Sequence, residues 1–133
     1  MEVVLDSTVE LARTDVVPAF DFPRKLRVRC SADYRRIEGR GRRVHWRDLL
    51  ALYLPGDREQ SRFGFTVSRK VGGAVVRNRV KRLLREAVRH ERHCMEQSWD
   101  VVFIARSSAA GADASDIRRQ VHAMLLSIDR RKR

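Results

Sequence analysis

Long apolar runs, signal-peptide features and cysteines are scarce in this chain of 133 residues, and each absence excludes a class of protein. No uninterrupted apolar stretch approaches the ~20 residues that a membrane-spanning helix needs. The N-terminus, Met-Glu-Val-Val-Leu-Asp, lacks the basic n-region and the long apolar h-region of a secretory signal. The two cysteines, Cys30 and Cys94, allow one disulfide but are more simply interpreted as a reduced pair. Together with the length, these absences predict one domain of a cytoplasmic protein.

Clusters of residues that would support catalysis or hold a metal are also lacking. Two carboxylate pairs occur, Asp57 with Glu59 and Asp113 with Asp116. Both pairs fall in predicted turns or at a helix start, which is typical of solvated or capping residues rather than metal ligands. His90, His93 and Cys94 have a spacing that suits zinc, but no second cluster supplies a fourth ligand. With no GxxxxGK[ST] loop and no supported Ser-His-Asp set, the sequence predicts no catalytic residue and no metal site.

Positive charge dominates the composition, with 29 lysines and arginines against 17 aspartates and glutamates, a net charge of +12. Arginine, whose planar guanidinium matches phosphate and stacks on bases, supplies 25 of these cations. The charge is segregated: residues 1–23 carry −4, whereas residues 24–47 and 62–93 carry +8 each. Two basic segments that a fold brings together are typical of a nucleic-acid-binding surface. Residues 1–22 are interpreted as an acidic extension, either weakly ordered or packed back on that surface.

The most informative stretch is residues 69–85, and a helix with two contrasting faces is predicted from about Gly73 to Arg92. At about 3.6 residues per turn, one face collects the aliphatic residues Val76, Val80, Leu83, Leu84 and Ala87. The opposite face collects Asn78, Lys81, Arg82, Arg85, Arg89 and Arg92, with Arg77 and Arg79 on its flanks. One face therefore suits a protein core and the other a polyanion.

The remaining elements are predicted from periodicity and turn residues. Residues 31–38 are predicted to form a helix. Ser31 is its expected N-cap residue, and Gly39 and Gly41 are expected to end it. Residues 44–54 favour a strand, with helix as an alternative. Residues 62–68 alternate as a strand, with Phe63, Phe65 and Val67 on one face and Gly64, Thr66 and Ser68 on the other. Residues 99–105 are predicted to form a strand that is buried on both sides. A last helix is predicted to begin at Ser115-Asp116-Ile117.

The order of elements predicts an α+β fold with one sheet. We expect a single domain over residues 23–128, with the order α-β-β-β-α-β-α, one mixed sheet and helices packed on it, mainly on one face. Residues 129–133 are expected to form a basic tail.

The pattern Ala74-x-x-Arg77-Asn78-Arg79-Val80-Lys81-Arg82-x-Leu84-Arg85 resembles the signature helix of the bacterial ribonuclease P protein subunit. The preceding Phe63-Gly64-Phe65-Thr66-Val67-Ser68-Arg69-Lys70-Val71-Gly72 resembles the strand and turn that lead into that helix. The resemblance runs from about Phe22 to about Ile128. It implies a rare left-handed βαβ crossover from the 62–68 strand to the 99–105 strand, against the usual right-handed rule.

The resemblance also implies a function. The protein would support removal of the 5′ leader from precursor tRNA by a catalytic RNA, with magnesium held by that RNA and the substrate. Residues that fall on the RNA-contacting positions are Arg69, Lys70, Arg77, Asn78, Arg79, Lys81, Arg82, Arg85 and Arg89. The leader would lie in a cleft with Tyr34, Thr66 and Ser68. Glu38 occupies a position where the family often has a second aromatic residue. Trp46 either substitutes for that aromatic residue or belongs to the core.

Two other classes of protein share some of these features. A ribosome-bound or rRNA-scaffolding protein would also be small, basic and α+β, but it would support no magnesium-dependent cleavage when mixed with a catalytic RNA. A membrane-surface or acidic-protein-binding module would use the basic amphipathic helix. Such helices usually carry bulky anchors at the interface, whereas Leu83 and Leu84 are more simply explained as core residues.

Overall fold

A four-stranded mixed sheet organises residues 22–131, the part of the chain that this computed structural model describes. The elements are α1 (Ser31–Arg40), β1 (Arg42–His45), β2 (Leu49–Pro55), β3 (Arg62–Thr66), α2 (Ala74–Glu91), β4 (Trp99–Ala105) and α3 (Ala114–Asp129). The strand order is β1-β2-β4-β3, with β3 parallel to β4 and the other neighbours antiparallel. The α+β class and the predicted α-β-β-β-α-β-α order are therefore confirmed.

The main core lies between the sheet and the pair of helices α2 and α3. Alternate side chains of β4, among them Val101 and Phe103, are fully buried against this pair. They meet Leu84 from α2 and Leu125 from α3, both of which are also fully buried. This face provides most of the apolar burial that stabilises the domain.

A smaller core lies on the other face of the sheet, which α1 covers. Ile37 of α1 is fully buried there against Val28, Leu52 and Val102. Val102 belongs to the same strand as Val101 but points the opposite way, as the two-residue period of a strand requires. Strand β4 is thus covered on both faces, as its continuous apolar run predicted.

The prediction of one strand over residues 44–54 is wrong, as is its helical alternative, because a tight turn divides the segment into β1 and β2. Trp46 donates its backbone N–H to the Leu49 carbonyl at 2.8 Å, which closes the turn. Asp48 is buried in the turn and accepts from the Gln120 side chain at 2.7 Å. The polar pair Arg47-Asp48 interrupts the apolar run at this point, and a buried carboxylate needs such a partner.

The boundaries of α1 also differ from the prediction. Cys30, not Ser31, is the N-cap residue, and no side chain caps the first turn. Gly39 lies inside the helix, which ends at Arg40, and the N–H of the C-cap residue Gly41 donates to the Ile37 carbonyl at 2.8 Å. By contrast, Asp113 and Asp116 form a reciprocal capping box at the start of α3. That pair therefore has the capping role expected of it.

The connection from β3 through α2 to β4 is a βαβ unit, because β3 and β4 are adjacent and parallel. The left-handed crossover of this unit stays a prediction. Cys30 and Cys94 are both free. No helix within residues 22–131 is long and apolar enough to span a bilayer. The predictions for residues 1–21 and for the last two residues of the tail lie outside the described residues.

Replacing Leu84 tests whether the apolar side of α2 anchors the domain. Leu84→Ala should destabilise the protein by about 2–5 kcal/mol, because it removes a fully buried side chain and leaves a cavity. Leu83→Ala is the matched control. Because Leu83 is only half-buried, this substitution should lower the free energy of unfolding by less than Leu84→Ala does. The measurement is urea-induced unfolding followed by circular dichroism. Equal costs for the two variants would contradict the assigned rotation of the helix.

Candidate nucleic-acid interface

The basic helix α2 begins immediately after a glycine pair. Gly72 has a φ of +158°, and a Cβ there would lie 2.9 Å from the Val76 side chain, so a side chain at this position would collide with the first turn of the helix. Gly73 is the N-cap residue. This compact turn leaves Arg69 and Lys70 exposed just before the helix. The structure thus places two predicted RNA contacts next to the positive end of the helix dipole.

Packing of the inner side of α2 determines which side chains face solvent. The buried residues of this helix are Val80, Leu84, Ala87 and Val88. As a consequence Asn78, Arg82 and Arg85 are exposed, and Lys81 is half-buried beside them. No acidic residue lies in the first turn of α2. The exposed side therefore offers hydrogen-bond donors and positive charge to a polyanion.

Two of the predicted RNA contacts have partners within the protein. Arg79 donates to the Ala110 carbonyl at 2.6 Å and to the Ala112 carbonyl at 3.3 Å. These bonds tie α2 to the 3-10 turn over Ser107–Gly111. Arg89 forms an ion pair with Glu86 at 2.5 Å. The structure therefore gives Arg79 an evident packing role, which its position on the flank of the helix did not reveal.

A groove of about 240 Å³ connects the basic side of α2 to α1. Its lining residues are Arg27, Val28, Arg29, Tyr34, Phe63, Gly64, Phe65, Lys81 and Arg85. The fold thus brings Tyr34, predicted to bind the leader, together with Lys81 and Arg85, predicted to bind RNA. Arg27 and Arg29 were not singled out from the sequence, although the +8 charge of residues 24–47 was a signal for them.

Tyr34 is held against the outer edge of the sheet. Its hydroxyl accepts the Phe65 N–H at 3.1 Å, and because β3 is an outer strand, this hydroxyl takes the place of a strand partner. The ring lies so close to Gly64 that a Cβ there would be 2.6 Å from the Tyr34 oxygen. Burial raises the pKa of the Tyr34 phenol, so it stays protonated at neutral pH. Because Tyr34 is half-buried, it packs against the sheet and also forms part of the groove wall.

A buried ion network fixes the end of α1 that carries Tyr34. The Arg62 guanidinium donates to both oxygens of Asp100, at 3.2 and 2.9 Å, and reaches Asp33 in the first turn of α1 at 3.2 Å. Arg36 adds a bond to Asp100 at 3.0 Å. The hydrogen bonds to Asp100 raise the pKa of Arg62, which remains charged although it is buried. Paired charges of this kind constrain geometry more than they stabilise.

The other predicted leader residues are distributed unevenly around this groove. Thr66 is half-buried at the end of β3, and Ser68 is exposed and accepts the Lys70 N–H at 3.3 Å. Glu38 is exposed on α1, one helical turn after Tyr34. Trp46 lies in the turn after β1, the other outer strand, so the structure does not bring it to Tyr34.

Within residues 22–131, no group of three or more His, Cys, Asp or Glu side chains is arranged to hold a metal ion. The three residues with zinc-like spacing do not share one helix, because α2 ends at Glu91 and a 3-10 turn spans Arg92–Cys94. Burial raises the pKa of the Cys94 thiol to about 12.

Comparison with known proteins gives a consistent result for this fold. The family model for ribonuclease P matches residues 22–129. The ribonuclease P protein component of Desulfovibrio desulfuricans is 45% identical over 111 residues, covering 82% of this chain and 84% of that protein. The one from Caldanaerobacter subterraneus subsp. tengcongensis is 38% identical over 93 residues, covering 70% and 80%.

Solved structures agree with these relatives. The ribonuclease P protein from Thermotoga maritima superposes with a TM-score of 0.71 at 26% identity, covering 80% of this chain and 98% of that one. The Staphylococcus aureus protein superposes with a TM-score of 0.67 at 29% identity, covering 79% and 95%. Since the family model spans most of the chain and the basic helix, sheet and groove all lie within it, the chain belongs to the ribonuclease P protein family.

Proposed function

We propose that this chain is the protein subunit of ribonuclease P, which binds the catalytic RNA and the 5′ leader of precursor tRNA and works in the cytoplasm. Membership of the family already makes it a component of a tRNA-processing endonuclease. The observation that supports the finer assignment is the continuity of two surfaces. Lys81 and Arg85 belong both to the basic side of α2 and to the groove that contains Tyr34.

The basic side of α2 is assigned to the catalytic RNA. A folded RNA crowds phosphates together, and guanidinium groups that neutralise them release bound counterions. Arg82 and Arg85 are exposed and Asn78 adds a neutral donor, so this side of the helix presents both charge and hydrogen bonds. Because α2 is an 18-residue helix anchored by four buried residues, these groups are held in a fixed row.

The groove at the edge of β3 is assigned to the leader, an unpaired strand. Single-stranded RNA is recognised by aromatic stacking combined with cations that follow the backbone. Tyr34 supplies the aromatic ring, and Arg27, Arg29, Lys81 and Arg85 line the same groove. Thr66 and Ser68 continue from the strand that forms its floor and offer hydroxyl groups. A strand that passes Tyr34 would therefore meet positive charge along the groove.

Hydrolysis is assigned to the RNA subunit, with magnesium held by that RNA and by the substrate. The described residues provide no carboxylate cluster on which a metal-dependent nuclease could rely. The contribution of the protein is then to position the substrate and neutralise charge, which makes binding at low magnesium concentration the sensitive measurement.

Single substitutions on α2 should reveal phosphate contacts through the salt dependence of binding. Arg82→Ala and Arg85→Ala should each weaken binding to the catalytic RNA and reduce the slope of log K against log salt by about one unit. Arg79→Ala is the matched control, because its guanidinium bonds to backbone carbonyls and its loss should lower stability instead. Filter binding over a salt series measures the slope. Unchanged slopes for Arg82 and Arg85 would count against this surface.

Tyr34 variants separate leader recognition from general RNA affinity. In the holoenzyme, Tyr34→Ala should weaken binding of precursor tRNA by about 1–3 kcal/mol and leave mature tRNA, which has no leader, almost unchanged. Tyr34→Phe should retain most of the affinity for precursor tRNA, because it keeps the ring. It loses only the acceptor for the Phe65 N–H. Equal losses for both RNAs would mean that Tyr34 only supports the fold or contacts the catalytic RNA.

Cleavage assays test the division of labour between protein and RNA. The protein freed of RNA should not cleave precursor tRNA at any magnesium concentration, because no metal-binding cluster is found among its described residues. Addition of the catalytic RNA from the same genome should restore cleavage at the 5′ end of the mature tRNA, with the protein lowering the magnesium requirement. Cleavage by RNA-free protein would overturn the assignment of catalysis. A protein that serves only the ribosome would leave the catalytic RNA unaffected.

A further inference from the structure

An exposed tryptophan marks a surface that the proposed function does not use. Trp46 and Val75 are the large apolar residues that remain exposed between residues 22 and 131, and Trp46 has 39% of its surface accessible. Trp99, by contrast, is fully buried. A single exposed apolar residue is normal on a protein surface, so a contact at Trp46 has to be inferred from the groups that surround the indole.

The turn that carries Trp46 is held from several directions. The Trp46 N–H donates to the Leu49 carbonyl at 2.8 Å, and the Trp46 carbonyl accepts from Arg106 at 2.9 Å. Asp48 donates its N–H to Gln120 of α3 at 3.0 Å and accepts from the same side chain at 2.7 Å. These bonds fix the backbone of the turn to β2, α3 and the end of β4. The indole is thus presented from a preorganised backbone, which limits the entropy lost on binding.

Exposed guanidinium groups flank the indole. Arg47 pairs with Asp48 at 3.2 Å and Arg119 pairs with Asp116 at 2.8 Å, and each arginine keeps 66% of its side chain exposed. The two carboxylates balance the two guanidinium charges but are more covered, with Asp116 29% and Asp48 3% exposed. The more accessible charge is therefore the positive one. A concavity of about 150 Å³ is lined by Trp46, Arg47, Arg119 and Gln120.

We propose that Trp46, Arg47 and Arg119 form a second RNA contact, which stacks one unpaired base on the indole and holds the adjacent phosphates with the two guanidinium groups. Aromatic rings beside arginine are suited to this task because every base has a π-face and every nucleotide carries a phosphate. A nucleotide supplies a planar ring and an anionic group within one repeating unit, whereas an acidic protein segment would have to supply them from separate side chains. We therefore take RNA as the occupant.

This contact is separate from the groove that contains Tyr34. Trp46 follows β1 at one edge of the sheet, whereas Tyr34 lies at the edge of β3, the other outer strand. Three interstrand spacings of about 4.8 Å place the two edges roughly 14 Å apart. Because the leader is assigned to the groove that contains Tyr34, the unpaired nucleotide at Trp46 is assigned to the catalytic RNA. The inference rests on the proposed function for the identity of this RNA, and the experiment distinguishes it from precursor tRNA.

Tryptophan fluorescence reports on the environment of Trp46, because the chain has two tryptophans and Trp99 is buried. Catalytic RNA is first added to the protein, and precursor or mature tRNA is then added to the holoenzyme. Stacking should quench the emission of Trp46 and protect it from acrylamide. Trp46→Phe, which reports Trp99 alone, should show neither effect. Quenching on the first addition supports the assignment to the catalytic RNA, and quenching that appears only with precursor tRNA would overturn it.

Affinity measurements test whether the stacking matters for binding. Trp46→Ala should weaken binding of the RNA identified by fluorescence about 5- to 150-fold, which corresponds to stacking of one base. Trp46→Phe should retain most of the affinity, whereas Trp46→Leu, which keeps an apolar side chain without a ring, should behave like alanine. Arg119→Gln should lower the salt slope by about one unit.

The inference is overturned if saturating catalytic RNA and precursor tRNA leave Trp46 emission and acrylamide access unchanged, or if Trp46→Leu binds as tightly as the unmodified protein. Thermal unfolding of each variant is measured in parallel. A loss of affinity that follows a loss of stability, without quenching in the unmodified protein, would also overturn it. The α2 variants distinguish the two hypotheses: if Arg82→Ala weakens RNA binding while Trp46 does not respond, only the second contact is rejected.

Discussion

Burial of one side of α2 against the sheet is the interaction on which the rest of the molecule depends. Val80, Leu84 and Val88 are fully buried, and they recur at intervals of four residues. This burial determines the rotation of the helix about its axis, because any other rotation would expose these side chains to water. The same rotation directs Arg82 and Arg85 to solvent. Stability and the proposed RNA surface therefore follow from one set of contacts.

A chain with a net charge of +12 must also limit repulsion between its own cations. Some of its arginines have partners within the protein. Arg62 is buried between Asp100 and Asp33, and Arg79 donates to backbone carbonyls of the 107–112 segment. Buried charge of this kind requires such hydrogen bonds. Arg89 pairs with Glu86 at the surface, whereas Arg82 and Arg85 remain exposed on α2.

The ion pairs of Arg62 lie on the side of the sheet that α1 covers. Arg62 and Asp100 belong to neighbouring strands, and Asp33 lies immediately before Tyr34. The position of the Tyr34 ring is thus set by a salt bridge next to it, by the Phe65 N–H at its hydroxyl and by the missing side chain of Gly64. These constraints come from β3 and β4, both far from α1 in sequence. A ring held this way is suited to receive a base without rearrangement.

Elements with strong periodicity could be predicted from the sequence. The two-sided pattern of α2 and the apolar run of β4 gave their positions, since residues at helical or strand spacing must share a face. The division of residues 44–54 could not be predicted in this way. It depends on Asp48, whose burial is tolerated only because Gln120 of α3 bonds to it. No local pattern contains that partner, which is 72 residues away.

Local periodicity and one recognisable motif were sufficient to predict the fold class and the basic side of α2. The use of individual side chains depends instead on contacts between distant segments. These contacts place Arg27 and Arg29 beside Tyr34, bind Arg79 to backbone carbonyls and separate Trp46 from the groove by the width of the sheet. They depend on which faces of the helices and strands can be buried together, and no short stretch of sequence contains that information.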